Sequence, residues 1–536
     1  MTLVKSRTKK IKKSGSLSPL LLAACGSSNE PASTFPRVDA ENGVLDKLPS
    51  AHIRKASGDV KDSKEFSNLL NTEPADPYWI TSLEMEEYYL ISDYFDTNTR
   101  TIFYSFPQEM PTYFDKITDE RGWQSVTPAV ESATIEILHR IEDILNITFE
   151  PTSEIKQPFV VSVMSNEQGS SDAYAYFPST QFSVGSDIFI DNDRLNPERI
   201  SANKTNYDYE VIVHELGHAL GLKHSFAPLG DNEYFLPQFE DTSRLTAMTY
   251  SEDAHFFNGE FRPFDYLTLV KVYGINPNYK AEDNVYTFSP TGGVYIIDGA
   301  GTDTIDVSME NANAFIDLRE NSHSYLGVKH EYISASFQMT ISSHSIIENV
   351  LTGYGDDHVI GNTFGNYIST GDGDDLVYAS SGRDIIELGT GQNKLNLFEE
   401  TQENDFVVLH DEFGGQFNEI YNFAVNGVCD VLVFETDTRS LTISPILEFS
   451  QVQQFTQFDI YRVNDLSSVS SRIDKFKYVT DDVILLSENR TVVDFDIDLY
   501  VYDASSDTTG GLYHVASLMT PNSDLGDWSN SNFMII

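Results

Sequence analysis

His214-Glu-Leu-Gly-His218-Ala-Leu-Gly221-Leu-Lys-His224 is the stretch from which the rest of the chain can be read. It ends a helical pattern that spans about Tyr207 to Leu220. Two histidines four residues apart project from one helix face, so both imidazoles can meet a single ion. Gly221 lets the helix stop and turn without a Cβ penalty, and that turn can bring His224 round as a third ligand. Three neutral imidazoles leave a zinc position open for water, which is the arrangement of a catalytic site rather than a structural one. Glu215 stands beside the first ligand, placed to reach that water rather than the metal. A structural zinc or a satisfied cluster of core histidines is the competing reading. Gly221 and His224 at fixed offsets weigh against it, because the shorter His-Glu-x-x-His pattern arises far more readily by chance.

Outward from this helix, strand and helix patterns alternate. Thr101 to Phe106 is rich in β-formers. Thr127 and Pro128 offer an N-cap and a first-turn proline. Val130, Ala133, Ile137, Leu138, Ile141, Ile144 and Leu145 then recur at helical spacing. Residues 159–164, 173–177 and 187–190 read as short strands. This predicts one α+β domain over residues 96–284. Residues 26–95 are polar and irregular and read as a linker or pro-segment.

The composition changes after about residue 285. Long helical patterns vanish, and Gly, Asp and Asn become frequent between short β-branched strands. Residues 352–396 repeat in nines. Position four reads Gly355, Phe364, Gly373, Gly382, Gly391; position six reads Asp357, Asn366, Asp375, Asp384, Asn393; position eight reads Val359, Ile368, Val377, Ile386, Leu395. This is the logic of a parallel β-roll, in which glycines make tight turns, aspartates offer hard oxygens and the apolar residue fills the strand core. Two nonapeptides make one coil, so side chains eighteen apart stack on one edge. Asp357, Asp375 and Asn393 share one edge; Asn366 and Asp384 share the other. The strongest calcium site is expected between Asp357 and Asp375, with carbonyls from Gly353, Gly355, Gly371 and Gly373, and Asp384 is a further candidate ligand. A turn-rich β-solenoid without calcium is the competing reading. Gly299-Ala-Gly301-Thr-Asp303-Thr-Ile305 reads as a lead-in copy. The roll is expected over residues 285–400 and a β-rich region over 401–536.

A second element supports the zinc helix. Ala247-Met248-Thr249-Tyr250 begins twenty-three residues after His224. A methionine turn beneath the histidines completes the metzincin signature. The eleven-residue zinc motif, Met248, Tyr250 and the nonapeptides together resemble the serralysins, metzincins with a C-terminal RTX β-roll. Tyr104-Ser-Phe-Pro107, Ala173-Tyr-Ala-Tyr-Phe-Pro178, Asp265 with Tyr273-Gly274, and Asp283-Asn-Val-Tyr-Thr-Phe288 also match. The resemblance covers roughly residues 98–396. It implies one catalytic zinc, several structural calcium ions, and Tyr250 as a fifth zinc ligand that swings away to steady the oxyanion. Ser225 departs from the family, which has proline there, and the 225–245 loop is unfamiliar.

Composition bounds the setting. The net charge is −47, with 82 acidic against 35 basic residues, a surface that repels nucleic acid and anionic lipid. Two cysteines, Cys25 and Cys429, exclude a disulfide framework, and no apolar run approaches the length of a membrane span. Residues 1–25 join a basic head to the apolar stretch Leu17 to Ala24 and Cys25. They read either as a lipoprotein-type signal that would tether the chain through Cys25 or as a basic pre-segment. Asn532-Phe-Met-Ile-Ile536 resembles the apolar tail that type I secretion systems read, or else is an ordinary terminal strand. The expectation is a secreted, monomeric zinc endopeptidase acting on proteins or peptides. Its rival is an RTX-type surface or adhesion protein with an inactive metzincin fold, which the intact His214, Glu215, His218, His224 and Tyr250 oppose.

Overall fold

The apolar periodicity around residue 130 builds the helix that anchors the first core. In the computed structural model this helix, Pro128–Ile144, turns Val130, Ala133, Ile137, Leu138 and Ile141 inward, and each such aliphatic burial contributes roughly 1.5–3 kcal/mol for the larger side chains. Thr127 occupies the N-cap position but makes no side-chain capping bond. The expected cap is therefore corrected: the start rests on Pro128, whose fixed φ suits the first turn. The structure describes residues 22–26, 77–85 and 100–398, except 115–116, 154–159, 170, 180–182, 230–231 and 252–255, together with separate strands and short stretches from 403 to 535.

In chain order the first domain comprises β1 (Leu22–Gly26), α1 (Tyr78–Thr81), β2 (Thr101–Ser105), α2 (Ile117–Glu120), α3 (Pro128–Ile144), β3 (Thr148–Pro151), β4 (Val160–Asn166), β5 (Ser171–Tyr176), β6 (Ile188–Asp191), α4 (Pro197–Ala202), α5 (Tyr207–Ala219) and α6 (Pro263–Tyr273). The sheet order is β1-β5-β6-β4-β2-β3. β2, β3, β4 and β6 run parallel, and β5 is antiparallel to β6. The α5 residues Val211, Ile212, Val213 and Leu216 share a buried core with α3 and with Ala173 and Ala175 of β5. The zinc motif is thereby held under the antiparallel end of the sheet.

Two segments expected to lie outside this domain belong to it. Leu22–Gly26, including Cys25, pairs antiparallel with β5, Leu22 opposite Tyr176 and Cys25 opposite Ala173. Residues 77–85, assigned to a linker or pro-segment, bury Trp79, Ile80 and Leu83 in the main core. The Lys223 amide donates to the Leu83 carbonyl at 2.9 Å and the Met85 amide to the Gly221 carbonyl at 3.2 Å. Nine residues are too few to show a period, so the sequence pattern missed them. The rest of 26–95 and Cys429 lie outside the described residues.

Beyond residue 285 come β7 (Val285–Tyr286), β8 (Val294–Ile296), β9 (Thr304–Asp306), β10 (Ala314–Asp317), β11 (His323–Leu326), β12 (Gln338–Ile341), β13 (Asn349–Leu351), β14 (His358–Ile360), β15 (Tyr367–Ser369), β16 (Leu376–Tyr378), β17 (Ile385–Glu387), β18 (Gly391–Asn396), β19 (Phe406–His410), β20 (Gln416–Tyr421) and β21 (Val431–Glu435). They form two sheets of mostly parallel strands. β14, β16 and β18 stack with His358 opposite Leu376 and Leu376 opposite Lys394, and β13, β15 and β17 do the same with Asn349, Tyr367 and Ile385. The register advances eighteen residues per coil, as two nonapeptides require. Val359, Ile368, Val377, Ile386 and Leu395 are fully buried between the sheets. The 299–305 copy leads directly into β9, which pairs with β13 across an inserted antiparallel hairpin, β11–β12.

The ladder does not stop at 400. β19 pairs with β17, β20 with β18 and β21 with β19, all parallel. Phe533–Ile535 of the terminal apolar segment forms a strand that pairs parallel with β21. Longer loops break the period of nine there, which is why the repeat faded from view. Among the described residues, no helix is long and apolar enough to cross a membrane.

Candidate metal centre

The last two turns of α5 and the turn after it bring His214, His218 and His224 together, one nitrogen from each lying within 4.8 Å of the others. Gly221 takes φ +104°, a conformation only glycine adopts cheaply, and it reverses the chain toward His224. The same turn sets the Leu222 carbonyl 2.7 Å from His218 Nδ1, and the Ala247 carbonyl lies 2.7 Å from His214 Nδ1. A carbonyl can only accept, so both Nδ1 atoms carry the proton and both Nε2 lone pairs face the site. His218 Nε2 is 3.1 Å from His224 Nε2, and His214 Nε2 is buried with no hydrogen-bond partner. Two nitrogens bound about 2.0–2.1 Å from one tetrahedral zinc would stand roughly 3.3 Å apart. The donor set therefore fits zinc. Burial pushes the His214 pKa down to about 4, and burial with the neighbouring histidines holds His218 well below the ordinary value. Burial, then His214 and Lys223, does the same to His224. Neutral imidazole is the form a metal takes.

Glu215 is fully buried beside the triad. Tyr250 is half exposed, with its ring centroid 5.6 Å from that of His214 and 4.7 Å from that of His224. Met248 is fully buried beneath α5, its sulfur so close to Gly217 that a Cβ there would overlap it.

Several further groups surround the site; Asp265, Phe177 and Ser225 are marked in the sequence only by the family resemblance, and Glu210, Arg262 and Phe226 by nothing. Asp265, fully buried on α6, accepts from Thr246 Oγ1 at 2.6 Å and from the Ala247 amide at 2.7 Å, fixing the methionine turn. Arg262 forms a buried ion pair with Glu210 at 2.8 Å, tying α6 to α5. Phe177 packs edge-on against His218, and Phe226 stacks on His224 and touches Tyr250. Buried Lys223 donates from Nζ to the carbonyls of Ala227 and Tyr234 at 3.0 and 2.7 Å, gathering the loop after the third histidine. Ser225 donates to Asp241 Oδ1 at 2.6 Å, which ties the residue after the third histidine to the far side of its loop.

The calcium candidates fall on the two stacked edges as the repeat implied. Asp375 Oδ1 accepts the Asp357 amide at 2.8 Å, Asn393 Oδ1 accepts the Asp375 amide at 2.9 Å, and Asp384 Oδ1 accepts the Asn366 amide at 2.7 Å on the other edge. Gly371 lies over Gly353, and Gly373 over Gly355, with no room for a Cβ.

A parallel sheet with an antiparallel edge over a His-Glu-x-x-His helix, a glycine turn, a third histidine and a methionine turn is the architecture of a metzincin domain, and parallel strands follow it. Residues 118–231 match the Matrixin family and residues 270–507 match the family described as Peptidase M10 serralysin C terminal. Serralysin G of Dickeya chrysanthemi is 27% identical over 49% of this chain and 60% of its own length. Serralysin of Proteus mirabilis is 26% identical over 49% and 58%, and Metallopeptidase AprA of Pseudomonas marginalis 29% identical over 42% and 52%. The match spans between half and three-fifths of the length of these relatives. With both family matches in series, the chain is similar to the serralysins along most of its length.

Proposed function

We propose that the chain is a secreted zinc-dependent endopeptidase. The observation that carries this reading is the convergence of three imidazole nitrogens, two of them with Nδ1 fixed on backbone carbonyls, around a point beside the buried Glu215. His214, His218 and His224 would hold the zinc. Bound there, zinc supplies Lewis acidity, polarising a carbonyl and lowering the pKa of a water. Glu215 takes the proton of the attacking water on its carboxylate and passes it to the leaving amine. Tyr250, whose ring lies against His214 and His224, would serve as a further ligand and would donate from its hydroxyl to the oxygen on which charge develops. Met248 supports the histidines from below and is structural.

On the same reading residues 96–284, together with 77–85, form the catalytic unit. The parallel strands are an RTX roll that calcium orders, through Asp357, Asp375 and Asp384 and the carbonyls of Gly353, Gly355, Gly371 and Gly373. The fit is supported by the burial of the Asp375 side chain and by its carboxyl pKa, which that burial pushes up to about 7. Both features suit a carboxylate awaiting a cation. Lipidation is disfavoured: a lipoprotein cleavage before Cys25 would remove Leu22–Ala24 from the strand paired with β5. Digestion of casein by the purified protein, abolished by a chelator and restored by zinc, tests the reading. Chelator-resistant digestion would contradict it.

A further inference from the structure

We propose that Glu240 is a positioning residue that fastens the loop behind the third zinc ligand to the C-terminal roll; this rests on the zinc reading of His224. Glu240 lies in the loop between His224 and Met248, eight residues before the methionine, and is fully buried. A carboxylate in such a place is costly unless donors surround it. Both of its donors come from outside its own loop. Tyr78 Oη of α1 donates to Glu240 Oε2 at 2.5 Å, and the Ser334 amide donates to Oε1 at 3.0 Å. The Ile333 amide closes the ring by donating to Tyr78 Oη at 3.2 Å.

Ser334 and Ile333 belong to the hairpin connection between β11 and β12, and that connection is itself fixed. Ile333 is fully buried in the core of the first domain. The Gly293 amide donates to the Ser334 carbonyl at 3.0 Å, and a Cβ at Gly293 would overlap the Ile333 carbonyl. Phe239 also meets Tyr332, ring centroids 5.8 Å apart.

The other side of the clamp faces the metal centre. Asp241, next in the chain, accepts from Ser225 Oγ at 2.6 Å, and Ser225 follows His224 directly. The Ser225 amide in turn donates to the Met248 carbonyl at 3.2 Å. The roll thus delivers one amide to the buried carboxylate and a second to the tyrosine that donates to it, and the neighbouring carboxylate holds the residue beside a zinc ligand. Without the roll docked, Glu240 keeps Tyr78 but loses the Ser334 amide, and this part of the loop loses its tie to the roll.

The test is the rate at which the zinc-loaded full chain passes zinc to a chromogenic chelator, measured beside kcat and KM for a peptide. Glu240→Ala is expected to release zinc about 10-fold faster and to lower kcat more than it alters KM. Glu240→Gln, which keeps an acceptor for Ser334, stays close to wild type. Tyr78→Phe falls between them and serves if Glu240→Ala does not fold. Ser225→Ala combined with Glu240→Ala is expected to release zinc no faster than the worse single variant, since both cut one path. Wild-type release rates in Glu240→Ala or Tyr78→Phe, or effects of Ser225 and Glu240 that simply add, would overturn the clamp while leaving the zinc site intact. A wild-type chain that takes up no zinc would overturn the metal reading and the clamp with it.

Discussion

His214 Nδ1 lies 2.7 Å from the Ala247 carbonyl, and the amide of that same Ala247 donates to Asp265 Oδ2 at 2.7 Å. One residue of the methionine turn therefore links a buried carboxylate on α6 to the tautomer of a histidine proposed to hold zinc. Asp265→Ala should loosen zinc 10- to 100-fold, the range for groups that orient a ligand. Zinc competition measures it; unchanged affinity would mean the turn holds without Asp265.

Gly217 is needed for packing rather than for its φ. It sits within α5, where alanine would normally be favoured by about 1 kcal/mol, but Met248 Sδ occupies the space of a Cβ. Gly217→Ala should destabilise the first domain by roughly 1–3 kcal/mol through overpacking. Thermal melts would show it, and pairing the change with Met248→Ala should recover part of the loss. A Gly217→Ala protein that melts like wild type would contradict this packing.

The calcium-free roll should be more stable in mild acid than at neutral pH. Burial raises the Asp375 carboxyl to about 7, and it raises Asp357 as well. A carboxyl whose folded pKa exceeds its unfolded value, about 3.9, contributes stability that is fully present below 3.9 and is lost as pH rises through the folded pKa. The window is therefore about pH 4 to 7. Melts in a calcium chelator should show a falling midpoint across it, flatter in Asp375→Asn. A midpoint that rises with pH would refute the assignment.

Calcium should reverse that penalty. Asp375→Ala removes a charge from the edge it shares with Asp357, whereas Asn393→Ala removes only a neutral oxygen from the next coil. Both lose an amide acceptor of similar length, so the difference between them reports charge. Circular dichroism during a calcium titration should show the larger rise in midpoint for Asp375→Ala. Superimposed curves would remove the calcium role from Asp375.

The histidine triad and the eighteen-residue stacking of the strands were legible because geometry dictates their spacing. His214 and His218 must be four apart to share a helix face, and Asp357 and Asp375 must be eighteen apart to stack. The sites of closure were not legible. Trp79, Ile80 and Leu83 lie in a segment too short to show a period, and Glu240 is one acidic residue in a chain that has 82. Tyr78, Glu240 and Ser334 meet only after the roll folds back on the first domain, and no local pattern records that contact.

The central claim is that Glu215 acts on water while three histidines hold the metal. Zinc content and peptide turnover measured together on Glu215→Ala and His218→Ala test it most directly. Glu215→Ala should keep one zinc per chain and lose nearly all turnover, whereas His218→Ala should lose the zinc itself. Full turnover in zinc-loaded Glu215→Ala would contradict the account.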